Sequence, residues 1–308
     1  MISFDRRLRW PLALAVIAAA VFAGTAGAGA TARSGFPVTL KAADGVVTIP
    51  NRPARIVSLS PAATQDLFAD GAGKQVVAVD SYSTYPKGVP VTSLNGYSPN
   101  VEAIAKYRPD LVVVYVDNDD IVGHLETLHI PVLLEPAATN LSGAYQQIEQ
   151  LGEATGHAGA AASVVAGMKH KISSIVASVP RPPKPLSVYA EVGTDPYYSV
   201  TSATFIGQII SLFGLRNVAD RAGGTYTSLS SEYIVASDPD LIILADTVCC
   251  GQTPATLLAR PGWKTISAVR TGSVLAVNDS IASQWGPTIV EFVADIADAV
   301  KKLEASSK

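Results

Sequence analysis

Ala158-Gly159-Ala160-Ala161-Ala162-Ser163-Val164-Val165-Ala166-Gly167-Met168-Lys169-His170-Lys171-Ile172-Ser173-Ser174-Ile175-Val176-Ala177-Ser178-Val179 contains no proline and stops against Pro180, Pro182, Pro183 and Pro185. Val164, Val165, Met168, Ile172, Ile175, Val176 and Val179 fall on one stripe at helical spacing, the pattern of a helix that packs on one side. Proline ends such a run because it lacks an amide hydrogen and its ring obstructs the preceding turn. A helix of this length spans roughly 33 Å at about 1.5 Å per residue, enough to cross between two lobes. The spacing therefore predicts one rigid rod over 157–180, with a globular half on either side. No second crossover segment stands out in the sequence. A continuous helix resists bending, so the two halves are expected to move little relative to each other.

Working outward, short aliphatic runs alternate with helical patterns on both sides of the rod. Arg55-Ile56-Val57-Ser58-Leu59, Val76-Val77-Ala78-Val79, Leu111 to Val116 and Pro131 to Leu134 read as strands before it. Ser187 to Val192, Leu241 to Leu244 and Ser273 to Val277 read as strands after it. They are apolar on both faces, as parallel strands covered by helices on each side must be. Pro61 to Ala69, Pro99 to Tyr107, Ile121 to Leu128 and Thr288 to Leu303 read as helices, with Ser60 and Ser98 as the caps before Pro61 and Pro99. The fold class is α/β, with two Rossmann-like lobes at 36–156 and 186–305 and a ligand cleft between them. One segment nearly repeats: Asn100-Val101-Glu102-Ala103-Ile104 with Arg108-Pro109-Asp110-Leu111 matches Ser230-Ser231-Glu232-Tyr233-Ile234 with Asp238-Pro239-Asp240-Leu241, 130 residues further on. Two lobes of related design follow from that offset.

The N-terminal stretch reads as an address. Arg6, Arg7 and Arg9 precede an uncharged apolar run from Trp10 to Gly24, and small-x-small sites end at Ala28 and Ala30. That is the layout of a secretory signal peptide over 1–30, and the run is shorter than the ~20 residues a membrane span needs. The mature chain is thus expected in the periplasm or outside the cell, with no cysteine after the apolar run to carry a lipid. Without the leader the chain has 20 positive and 25 negative residues. This balance argues against nucleic acid as a partner. Apolar residues at 48% and charged residues at 16% describe a core-forming chain that needs no disulfide or metal for stability, and a monomer is expected.

In open α/β sheets ligands bind outside the C-terminal ends of the strands. Six of the eleven tyrosines, Tyr82, Tyr85, Tyr97, Tyr197, Tyr198 and Tyr226, fall in loops from both halves, and Trp285 lies in Ser283-Gln284-Trp285-Gly286-Pro287. Phe68, Phe205, Phe213 and Phe292 sit instead in helical patterns, where packing accounts for them. Tyrosine offers a flat apolar face and a hydroxyl that tolerates water, which suits a wet cleft holding a large flat ligand. Arg221 is the one arginine near these loops, which disfavours a highly anionic ferric siderophore.

Catalytic machinery is missing. There is no Gly-x-Ser-x-Gly elbow, no phosphate loop around Gly73-Lys74 and no Gly-x-Gly-x-x-Gly. His124, His129, His157 and His170 lack metal-ligand spacing, and Asp117 to Asp120 lacks the glycine turn and distal glutamate of a calcium loop. The reading is therefore a non-enzyme without cofactor or metal ligands. The alternative from another class, an exported α/β enzyme, would use Asp117 to Asp120 or His124. Cys249-Cys250 leaves three states open: a vicinal disulfide, an intermolecular bridge or two thiols.

Arg55-Ile56-Val57-Ser58-Leu59-Ser60-Pro61 through Gly71-Ala72-Gly73, Asp80-Ser81-Tyr82-Ser83-Thr84-Tyr85-Pro86, Gly96-Tyr97-Ser98-Pro99-Asn100, Gly193-Thr194-Asp195-Pro196 and Pro261-Gly262-Trp263 occur in that order. As an ordered set they resemble the substrate-binding proteins that feed cobalamin, ferric-siderophore and haem ABC importers, above all the cobalamin binders. The resemblance covers about residues 36 to 303. It implies two α/β lobes on one backbone helix and a bound metal chelate: a corrinoid, or alternatively a ferric siderophore or haem. It also implies a cleft lined by Tyr82, Tyr97, Tyr198, Tyr226 and the loop from Asp279 to Trp285. Glu102 and Glu232 match the surface glutamates that meet arginines on the two halves of the permease dimer. These are the same two glutamates that the internal repeat picks out. The sequence departs from the family at Gly96, where some corrinoid binders have tryptophan, and at Asn95, where haem binders often place an iron-ligating tyrosine.

Overall fold

The computed structural model describes residues 35–181 and 184–306; the leader assigned to 1–30 lies outside them. The first described element is a hairpin absent from the sequence reading, β1 (Val38–Ala42) with β2 (Gly45–Ile49), paired antiparallel. It turns Leu40, Val47 and Ile49 into the core of the first lobe.

The first lobe is built on four parallel strands: β3 (Ile56–Leu59), β4 (Val76–Val79), β5 (Leu111–Val114) and β6 (Val132–Leu134), in the order β4-β3-β5-β6. Its helices are α1 (Pro61–Ala69), α2 (Val101–Ala105), α3 (Ile121–Thr127) and α4 (Leu141–Thr155). Ala63 and Leu67 of α1 and Leu151 and Ala154 of α4 cover one face of the sheet. Ile104 of α2 and Ile121, Val122 and Leu125 of α3 cover the other. Both faces of β3 and β5 are therefore dry, which is why their sequences do not alternate.

Two cap expectations divide. Ser60 caps α1, its hydroxyl accepting from the Ala63 amide at 3.3 Å. The expected cap Ser98 is corrected to Asn100, whose Oδ1 accepts from the Ala103 amide at 2.8 Å. The helix starts at Val101 rather than at Pro99, because the Tyr97 and Ser98 amides donate to Asn95 Oδ1 and hold the chain in a turn before Asn100.

The rod is α5 (Ala158–Ala177). Ala161, Val165, Met168 and Ile172 form its buried stripe, and Val164, Ile175 and Val176 lie half-buried beside it. Helix α4, which the sequence reading did not resolve, runs against α5. A side chain at Gly152 would strike the Ala161 methyl, so only glycine permits this separation. Helix α4 also belongs to both cores. Its Ala144, Tyr145 and Ile148 pack with residues of the second lobe, while Leu151 and Ala154 pack with the first.

The second lobe contains β7 (Ser187–Thr194), β8 (Tyr197–Val200), β9 (Arg216–Asn217), β10 (Tyr226–Leu229), β11 (Leu241–Leu244) and β12 (Val274–Ala276). Strands β7, β11 and β12 run parallel, and β8 and β10 extend that sheet antiparallel in the order β10-β8-β7-β11-β12, with β9 also on β7. Its helices are α6 (Phe205–Ser211), α7 (Ser231–Ser237), α8 (Thr247–Cys250), α9 (Pro254–Ala259), α10 (Ser267–Thr271), α11 (Asp279–Ser283) and α12 (Ile289–Ser306). Helix α12 buries Phe292, Val293 and Ile296 beside α5. The α/β class and the two lobes on one long helix are thus present.

Candidate functional site

Strands β3, β4 and β5 end side by side, and the residue after each, Ser60, Asp80 and Tyr115, lies on the wall of one cavity of about 420 Å³. Tyr82, Asn95 and Tyr97 add to it from the long loop after β4. Ser283, Gln284 and Trp285 close it from the second lobe. Chain order reverses between β3 and β5, so the loops leaving them diverge and open a crevice at that point. The lobes are tied next to it: the Gln65 amide of α1 donates to Gln284 Oε1, and the Thr288 hydroxyl donates to Gln65 Oε1 at 2.7 Å.

The tyrosine loops are held by side chains below them. Asn95 Oδ1 accepts from the Tyr97 amide at 2.8 Å, and Asn118 Nδ2 donates to the Tyr97 carbonyl at 2.7 Å. Thr64 Oγ1 of α1 lies 2.9 Å from Ser58 Oγ and 3.0 Å from Ser83 Oγ, so the three hydroxyls form one buried hydrogen-bonded cluster. Burial pushes the Tyr115 phenol above its usual range, and the neighbouring Asp80, Tyr97 and Tyr82 add to the shift, so Tyr115 faces the cavity uncharged at neutral pH. Neither lysine nor arginine is among the lining residues. The arrangement presents flat apolar faces and hydroxyls, with the Asp80 carboxyl at the strand ends below them.

The candidates named from the sequence take different places. Tyr82, Tyr97 and Trp285 share the cavity, Tyr97 with 70% of its surface exposed. Tyr85 lines a neighbouring hollow of about 310 Å³ with Gln65, Phe68 and Pro287. Tyr198 and Tyr226 are exposed on β8 and β10, opposite Ser228 and Val200 and so on one face of that sheet. Tyr197 is packed instead under Arg260, 4.9 Å from ring to guanidinium, and against Trp263. The Asp279 carboxylate is spent on the second lobe itself, accepting from the Val248 amide at 2.7 Å and the Cys249 amide at 2.8 Å. Cys249 and Cys250 form a vicinal disulfide in the short helix so capped.

The sequence reading does not place Tyr115 or Asn95 on the cavity wall, whereas Gln284 lies in the 279–285 loop it names. Tyr115 falls inside the strand expected over 111–116, which ends two residues earlier at Val114; its signal is position, directly after an apolar run. Arg260, also missed, is only 9% exposed and gives two short hydrogen bonds to fully buried Glu191, at 2.6 and 2.7 Å. The residues of the rival enzyme reading are engaged locally. Asp117 Oδ1 accepts from the Val122 amide at 3.0 Å, and His124 Nδ1 lies 3.1 Å from the Asp119 carbonyl. Among the described residues no group of histidine, cysteine and carboxylate side chains is disposed to hold a metal ion.

Glu102 and Glu232 occupy equivalent sites. Each is exposed in the first turn of a short helix, α2 or α7, capped by Asn100 or Ser230. The following loops match as well: Arg108 and Asp238 both have positive φ, 48° and 40°. Asp110 accepts from the Ala54 and Arg55 amides as Asp240 does from Ser187.

Two α/β lobes on a helical rod, with an aromatic cavity at the strand ends, form the architecture of a ligand-capturing protein. The chain belongs to the periplasmic binding protein family, whose profile matches residues 56–280. It is 33% identical over 279 residues to the cobalamin-binding protein of Halobacterium salinarum, covering 86% of this chain and 74% of that one. It is 32% identical over 275 residues to the ABC transporter substrate-binding lipoprotein YvrC of Bacillus subtilis, covering 86% of each. Among solved structures, a possible iron-binding periplasmic solute-binding protein of Staphylococcus epidermidis superposes with a TM-score of 0.71 at 26% identity, over 81% of this chain and 99% of that one. The vitamin B12-binding protein BtuF of Vibrio cholerae shares the fold, with a TM-score of 0.68 at 21% identity over 82% and 98%. Proteins of this family bind ligands and deliver them to a permease. Among the described residues no helix is long and apolar enough to cross a membrane.

Proposed function

We propose that this protein captures a corrinoid of the cobalamin type between its lobes and hands it to the permease of an ABC importer. The observation that carries the reading is the cavity wall: three phenols and an indole, drawn from both lobes, with no cationic side chain among them. A corrin ring is broad and flat and its periphery is rich in amides, which stack on aromatic faces and hydrogen-bond to neutral hydroxyls. A highly anionic siderophore would instead require several cations. Tyr82, Tyr97 and Trp285 make the first contacts, while Tyr85, Tyr198 and Tyr226 flank the opening. Tyr115 joins them. Lobes at 36–156 and 186–305 on a tether at 157–180, acting as a monomer exported by the leader 1–30 with cleavage near Ala28 or Ala30, complete the reading.

Equilibrium dialysis of the purified protein against cyanocobalamin, haemin and a ferric hydroxamate tests it. Retention of cyanocobalamin with a Kd below about 10 µM is expected, weakened in Trp285→Ala. Retention of haemin or the hydroxamate alone would replace the corrinoid by an iron chelate, for which Tyr82, Tyr97 or Tyr115 would supply the phenolate oxygen. For delivery, Glu102 and Glu232 are the docking anchors: two equivalent carboxylates suit the two halves of a permease, each pairing with a guanidinium.

A further inference from the structure

We infer that Asp80 is a positioning residue of the cavity: with Gly96, its buried carboxylate holds the Tyr82 and Tyr97 stretches of the loop after β4 together so that both phenols face one ligand. The inference rests on the ligand reading above for its purpose, but not for its geometry. Neither phenol oxygen has a hydrogen-bond partner among the described residues, and the two residues are 63% and 70% exposed, so their placement comes from the backbone beneath them.

That backbone converges on Asp80, which is 1% exposed and is the first residue after β4. Its own amide donates to the Ser58 carbonyl at 3.1 Å, which fixes it to the floor of the sheet. The Ser83 amide donates to Oδ1 at 3.0 Å, Gly96 is pressed against Oδ2, and the nearby Ser83 hydroxyl and Tyr82 and Gly96 amides favour the ionised carboxylate against the burial that disfavours it. Tyr82 and Ser83 stand near the start of the long loop after β4 and Gly96 near its end, so the carboxylate sits between the two stretches. Ser83 is also tied to α1, its hydroxyl oxygen lying 3.0 Å from Thr64 Oγ1. Other buried acids of this chain, Asp66, Asp70, Glu135 and Asp246, each leave an oxygen without a partner; Asp80 does not.

Gly96 makes the approach possible. A side chain there would run into the Leu59 carbonyl oxygen and lie 3.1 Å from Asp80 Oδ2, and the first of these is backbone that cannot step aside. The residue before Tyr97 is thus glycine because the loop is pressed against the end of β3. Asparagine at position 80 would turn one acceptor oxygen into a donor pointed at amide donors, and alanine would leave those amides unpaired.

The test uses protein labelled with 3-fluorotyrosine, with the Tyr82 and Tyr97 fluorine resonances assigned from Tyr82→Phe and Tyr97→Phe. In the ligand-free state, Asp80→Asn, Asp80→Ala and Gly96→Ala are each expected to move both resonances toward the position of free fluorotyrosine. Cyanocobalamin affinity should fall about tenfold or more in each. A folded variant with both resonances in their wild-type places would overturn the assignment. Moved resonances with unchanged affinity would uphold the positioning role and refute these phenols as corrinoid contacts. Should Asp80→Ala not fold, Gly96→Ala and Ser83→Ala carry the same comparison.

Discussion

At residue scale the second lobe turns on Arg260. Its guanidinium gives two short hydrogen bonds to Glu191, stacks 4.4 Å from the Trp263 ring and covers Tyr197. Glu191 is completely buried, so its charge is tolerable only while the arginine is present. Arg260→Met is expected to lower stability by about 3–5 kcal/mol in urea unfolding, because it strands that carboxylate. Arg260→Met combined with Glu191→Leu should regain much of the loss, since an apolar pair removes both charges; a double variant no better than the single would refute the account. The same cluster explains why Tyr197, expected from its loop position to face a cleft, is half-buried against Arg260 and Trp263. Its neighbour Tyr198 points away from the arginine and stays exposed.

At the scale of elements, α1 carries an electrostatic liability. Asp66 and its C-cap Asp70, with Glu135 after β6, are buried, and each has an oxygen with no hydrogen-bond partner. Burial pushes all three carboxyls up, Asp70 from 3.8 to about 7, and mutual repulsion adds to the shift of Asp66 and Glu135. In acid, both folded and unfolded chains hold these protons and nothing is lost. As the pH rises past the ordinary carboxylate range, the unfolded chain releases protons that the folded chain keeps, so stability falls. The melting temperature should therefore decline as pH rises from about 4 to about 7. Asp70→Asn should flatten that slope, and an unchanged slope would count against the assignment. Helix α5 offers a second test, since Gly167 sits mid-helix with open space where a side chain would project. Gly167→Ala should raise stability by about 1 kcal/mol, read as a higher urea midpoint.

For the whole molecule, the α4–α5 pair, the Gln65–Gln284 and Gln65–Thr288 bonds and a core shared across the rod all oppose lobe movement. Small-angle scattering profiles with and without saturating cyanocobalamin should superimpose, and a contraction of several ångströms in the radius of gyration would overturn the rigid-rod account. The docking proposal also belongs at this scale. Glu102→Arg together with Glu232→Arg should leave cyanocobalamin retention unchanged and abolish uptake by cells carrying the importer, because arginine would then oppose arginine. Loss of retention in that variant would place the glutamates in the ligand site instead.

Much of this plan was legible in the chain. Parallel strands buried on both faces must be continuously apolar, a long helix must be free of proline, and a doubled motif must recur at a fixed offset, so the lobes, the rod and the Glu102–Glu232 pair could be read as one-dimensional patterns. The cavity could not be read completely. Tyr115 and Gln284 become neighbours of Tyr97 only when strand ends and the opposite lobe meet. Tyr197 and Asp279 look free in the sequence, yet Arg260, Val248 and Cys249 claim them after folding. Helix α4 carries one buried stripe at helical spacing, Ala144, Tyr145, Ile148, Leu151 and Thr155, so its existence is legible in the chain; that its first half faces one core and its second half the other is decided only by the tertiary structure. Local pattern records what each element needs from its nearest neighbours, whereas which polar groups remain available to a ligand depends on partners brought in from far along the chain.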